Sequence, residues 1–158
     1  MLHLTIWCAL ACLAAAESGK RGVRLGRAAA WIGPVSAVGI ALLVAHIGLA
    51  FHLRYDWSHD TAVAETARQT AETFGLDWGG GVYVNYLFTL VWAIDAWSWH
   101  AHPARAAARP IGLRWALRAF YLTMVFNGAV VFVSGARRVL GVVLTLWLAW
   151  SWRAIRSR

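Results

Sequence analysis

The residues best suited to chemistry are His46, His52, Asp56 and His59, gathered where an apolar stretch gives way to "RYDWSHD". If the helix that carries His46 runs on to residue 59, His52, Asp56 and His59 stand at i, i+4 and i+7. At 100° per residue they then fall within an arc of about 60°. Imidazoles and a carboxylate on one face can ligate zinc, copper or iron, and Asp56 can instead orient a ligating histidine. His46, six residues before His52, sits about 120° round that helix and roughly 9 Å deeper. It joins only through a kink, or through ligands from elsewhere such as His3, Glu65, Glu72 or Asn85. Haem is disfavoured: His46 and His59 have the spacing for two haems, but His100 and His102 fall on the opposite side and His3 can serve one haem at most. The competing reading is structural. Histidine, tyrosine and tryptophan collect where a membrane meets water, and Tyr55, Trp57 and Trp78 fit such a belt.

A second set of polar residues interrupts other apolar runs: Asn85 and Asp95 in one, Asn127 in the next, and Arg137 just after it. An acid inside a membrane span faces the bundle interior and marks a functional hypothesis. Asp95 is expected to pair with Arg114 or Arg118, and a proton path would need it to meet His46. Asn127, beside Gly128, reads as polar glue between helices. Arg137 either lies at an interfacial turn, permitted by Gly135 and Gly141, or pairs with an acid inside the bundle. Cys8 and Cys12, four apart, read as small packing residues.

The elements that position these residues follow from composition. Of the 158 residues, 60% are hydrophobic and 14% charged, with mean hydropathy +0.55. A soluble domain of this size has too little interior for so much apolar surface, so the pattern predicts an all-α, polytopic membrane bundle forming a single domain. The net charge of +8 does not point to nucleic acid, because the arginines flank apolar runs instead of lining a face. Fourteen of the fifteen basic residues are arginine, a bias that suggests a GC-rich bacterial genome.

Five apolar runs read as spans: 2–16, 28–53, 82–100, 115–134 and 139–155. The first and last are short against the roughly 20 residues a span needs, so four spans is the alternative, and 1–16 can also be read as a cleaved signal. With five spans, Lys20, Arg21, Arg24, Arg27, Arg105, Arg109, Arg114, Arg118, Arg153, Arg156 and Arg158 fall on one side, leaving Arg54, Arg68, Arg137 and Arg138 on the other. The positive-inside rule then sets the N-terminus outside and the C-terminus inside a bacterial cytoplasmic membrane. The connection between the second and third runs is the one long polar segment. Val63, Ala67, Ala71 and Phe74 recur there at helical spacing, and Glu65, Arg68 and Glu72 can pair at i+3 and i+4. That predicts an amphipathic outer helix over about 60–74, closed by Gly75.

These readings give three functional expectations. The leading one is a non-catalytic membrane subunit or accessory protein, with the bilayer and either a membrane partner or a second copy as its contacts. The others are a metal-binding or redox protein using His46, His52, Asp56 and His59, and a small proton-coupled transporter using Asp95 and His46. No nucleophile elbow, P-loop, H-E-x-x-H or dinucleotide fingerprint is present in the sequence.

Overall fold

The computed structural model describes residues 2–24 and 30–152. The flank 25–29, with Arg27, and the tail 153–158, with Arg153, Arg156 and Arg158, lie outside the described residues. Every regular element among the described residues is helical.

α1 runs Leu2–Arg24, eight residues past the end expected at 16. Its C-terminal third is not a charged loop, because Glu17 and Lys20 are buried, at 5% and 2% exposure. α2 is Ile32–Arg54, and it alone among the described helices is long and apolar enough to cross a membrane by those criteria, with mean hydropathy 2.0. Only 17% of its most apolar stretch is buried inside the protein, so most of that greasy surface faces outward.

α2 stops at Arg54 and does not run on to residue 59. Asp56 and Trp57 take left-handed backbone angles, φ 47° and 58°, which for a tryptophan is costly. The turn is tied by Trp57 N–H donating to the Phe51 carbonyl at 3.0 Å and Ser58 N–H to that of Tyr55 at 2.8 Å.

α3, His59–Phe74, is the expected outer helix, and local chemistry sets both its ends. Ser58 Oγ accepts from the Thr61 amide at 3.2 Å, and Gly75, at φ 71°, donates its amide to the Ala71 carbonyl. On its outer surface Arg68 bonds Glu65 at 2.6 and 2.8 Å and also pairs with Glu72. The buried stripe is rotated from the expected one: Ala62 and Thr70 are buried while Phe74 is exposed. Thr66 and Thr70 can face the bundle because each hydroxyl donates to the carbonyl four residues back, at 2.8 Å. Ser58→Ala should therefore weaken α3 by about 1 kcal/mol. Faster hydrogen exchange confined to α3 amides would show it, and exchange unchanged from wild type would disprove the cap.

α4 is Gly81–Ala101, followed by the short α5, Pro103–Ala107, and then α6, Ile111–Phe126. α6 continues without a break into a π turn, Asn127–Val131, closed by Phe132 N–H donating to the Asn127 carbonyl at 3.1 Å. The chain then reverses through Gly135, φ 67°, into α7, Ala136–Ser151. Gly135 serves the turn as expected. Gly141 does not: it is buried inside α7, and a Cβ there would collide with the Ala129 carbonyl of the π turn.

The five long helices pack as a bundle in which α1 lies along α2 and α7, α2 along α4, and α6 against α7, with α3 resting on α4. Leu10, Leu13, Leu43, Phe88, Trp92, Tyr121, Val125 and Leu148 form the core. Gly39 lets three helices meet, since a Cβ there would lie 2.6 Å from Trp92 and 2.7 Å from Cys12. Titratable side chains collect in two places, one at each end of this core.

Candidate functional site

At the end formed by α5 and the start of α6, four charges and two aromatic donors make a sealed cluster. Lys20 Nζ donates to Glu17 Oε1 and to Asp95 Oδ2, both at 2.5 Å. Tyr121 O–H donates to the same Asp95 oxygen at 3.0 Å, while Arg109 pairs with the other. Trp152 Nε1 donates to Glu17 Oε2 at 3.0 Å. Two anions meet two cations, so the cluster is neutral, and the Lys20 ammonium also lies 5.7 Å from the Trp99 ring centre. The space beside it is about 30 Å³, room for roughly one or two waters. Such a set ties α1, α4, α6 and α7 together and leaves no carboxylate free to carry protons.

This corrects two expectations. Asp95 pairs with Lys20 and Arg109, and neither Arg114 nor Arg118 reaches it. Arg118 instead lies over the rings of Trp115 and Trp152, at 5.1 and 5.7 Å. Lys20, read as one more basic flank residue, is the hub. One signal was available: it is the single lysine among fourteen arginines. Its compact ammonium, on a flexible four-carbon stem, bonds both carboxylates at once.

The opposite end holds the larger cavity, about 390 Å³. Its deep walls are apolar, built from Ile6, Leu10, Leu43, Ile47, Phe88 and Met124, and its rim is polar, with His3, His46, Arg54, Tyr55, Gln69, Asn85 and Arg137. No aspartate or glutamate lines it among the described residues. His46 Nδ1 lies 3.2 Å from Thr5 Oγ1 of α1, so the histidine spans α2 and α1. Gln69 is held from α3, its amide donating to Glu65 Oε1 at 2.9 Å. Glu65 itself is held down to about pKa 2 by hydrogen bonds from Arg68 and then Gln69. The π turn contributes Gly128 and Ala129 to the wall, and such turns recur at functional sites because they re-aim a helix face locally.

The expected metal face is not assembled. His52 is exposed and tilts over Trp57, ring centres 6.3 Å apart. Asp56 is exposed in the turn. His59, at the start of α3, stacks on Phe51 and hydrogen-bonds the Tyr83 hydroxyl at 3.2 Å. No three His, Cys, Asp or Glu side chains among the described residues converge as a metal site. His46 and Asp95 line different cavities. Of the partners expected for His46, His3 and Asn85 do line the same cavity with it, and Arg137, singled out separately, joins them there. Asn127 opens the π turn, where its backbone carbonyl does the bonding.

Comparison of the chain with family models, with curated proteins and with solved structures finds no match. The functional reading therefore rests on the two clusters. One is internally satisfied and structural. The other is a concave, apolar cavity with a few convergent polar groups, the usual form of a small-molecule binding site.

Proposed function

We propose that the chain is a multi-pass membrane protein, N-terminus outside and C-terminus inside, that acts by binding and not by catalysis. The observation that supports it is the outward face of the bundle. Val38 and Val44 on α2, Leu87, Leu90, Ile94 and Trp97 on α4, and Val139, Leu140, Val143, Leu146 and Trp150 on α7 are all 49% to 68% exposed. Apolar surface on that scale suits lipid and not water. Among the described helices only α2 has the length and hydropathy of a span on its own. Glu17 and Lys20 of α1 and Asp95 of α4 are turned inward and paired with one another, which is how a span tolerates ions.

The binding reading draws on the outer cavity, whose rim of cations and amides can grip and orient a ligand without a carboxylate to activate its histidines. The metal and proton-transport readings draw no comparable support, because their residues are not brought together.

Topology is testable by single cysteines in a Cys8→Ala/Cys12→Ala background. Thr73→Cys and Ala136→Cys, both at exposed positions, should react with an impermeant maleimide in intact cells. Ala104→Cys, exposed in α5, should react only after permeabilisation. The same pattern for all three, or release of the protein by alkaline carbonate, would refute the multi-pass arrangement.

A further inference from the structure

We propose that the outer cavity binds an amphiphile with a phosphate headgroup, the phosphate held between Arg54 and Arg137 and the hydrocarbon chain laid along the apolar wall. This deepens the binding reading above. Arg54 ends α2 and Arg137 opens α7, and both line the cavity. Among the described residues neither makes an ion pair. Glu65 lies within electrostatic reach of Arg54, but its oxygens are taken by Arg68 and Gln69. Arg137 sits in the first turn of a helix with no acid there, where the helix dipole disfavours a cation. An anion between the two arginines would relieve both, and guanidinium groups match the oxygens of a phosphate.

The rest of the lining selects what the phosphate is attached to. Asn85, Gln69 and Tyr55 add hydrogen-bonding groups at the rim, whereas Leu10, Leu43, Phe88 and Met124 make the floor hydrocarbon. A free phosphate would leave that floor unused. The volume, about 390 Å³, falls in the range of small-molecule pockets and suits a headgroup with part of one chain. Arg138 provides an internal control: it is next in sequence, it is exposed, and its Nε donates to the Val133 carbonyl at 2.7 Å, but it does not line the cavity.

The test is lipid binding to the full chain in dodecyl maltoside, read by native mass spectrometry over a concentration series. The probes are dioleoyl phosphatidic acid, dioleoylglycerol and inorganic phosphate. One phosphatidic acid should bind, with affinity at least tenfold weaker in Arg54→Gln/Arg137→Gln and unchanged in Arg138→Gln. Ala50 also lines the cavity, so Ala50→Trp, which takes up its space and keeps the arginines, should also weaken it. Dioleoylglycerol should bind at least tenfold less well, and millimolar phosphate should not displace the lipid. Equal binding by wild type and the double arginine variant would overturn the proposal, as would an equal loss in Arg138→Gln. Phosphate competing as well as the lipid would overturn the amphiphile in favour of a simple anion site. Cysteine labelling reports the topology and this assay reports the cavity, so either can fail alone.

Discussion

Lys20→Met is expected to destabilise the protein by about 3–5 kcal/mol, the range for removing one partner from a buried ion pair. The ammonium is 2% exposed and bonds two carboxylates on different helices. Without it, Glu17 and Asp95 face each other with one fewer cation, and burial keeps water from replacing it. The size of the effect follows from the uncompensated charge and not from the worth of the pair itself. Lys20→Met/Asp95→Asn should accordingly be more stable than the sum of its single variants by at least about 1 kcal/mol, since contacting residues couple by roughly 0.5–3 kcal/mol. Unfolding of the four proteins in mixed detergent micelles measures both quantities. A Lys20→Met protein within about 0.5 kcal/mol of wild type, the span of an ordinary surface change, would show that the cluster does not hold the helices together.

Gly141→Ala should cost about 3 kcal/mol, at the upper end for overpacking. The added methyl would meet the Ala129 carbonyl, a backbone group that no rotamer change can move, and the Ala129 Cβ at 3.1 Å. α7 must then lift from the π turn, and because Ala129 lines the outer cavity, ligand binding should fall with stability. Gly48→Ala is the matched control. It lies in mid-helix with nothing within 4 Å of the new Cβ, so it should be neutral or stabilising by about 0.5–1 kcal/mol. Equal melting temperatures for the two variants would rule out close packing at Gly141.

What the sequence disclosed tracks how local the physics is. α3 was readable almost to the residue because Gly75 and the Glu65–Arg68–Glu72 set act within a few positions of one another, and the structure adds the Ser58 cap. α4 was equally plain, found at Gly81–Ala101 against an expected 82–100. α1 was cut short at 16 because Glu17 and Lys20 look like loop charges, and the partners that let them be buried, Trp152 for Glu17 and Asp95 for Lys20, lie far along the chain. α6 was expected over 115–134, whereas it begins at Ile111 and leaves the α geometry at Asn127. The metal face failed at one joint, the left-handed pair Asp56 and Trp57: aspartate tolerates such angles, but a tryptophan beside it gives no sign of the turn. Of the larger cavity only the association of His46 with His3 and Asn85 was raised in the sequence, as one option among several. His46, Asn85 and Arg137 come from three helices, and nothing local brings them together.

The neutral cluster also bears on how such a chain is made. A ribosome delivers Glu17 and Lys20 long before Asp95, Arg109 and Tyr121 exist. During that interval Glu17 and Lys20 hold each other at i+3 on α1, so neither of these two buried charges waits without a partner. The second carboxylate arrives with α4 and brings its own counter-cation, Arg109, fourteen residues behind it. Each carboxylate thus has a cation near it in sequence when it emerges, and final assembly adds the bond from Lys20 to Asp95 to pairs that each half already holds, instead of rescuing a stranded ion.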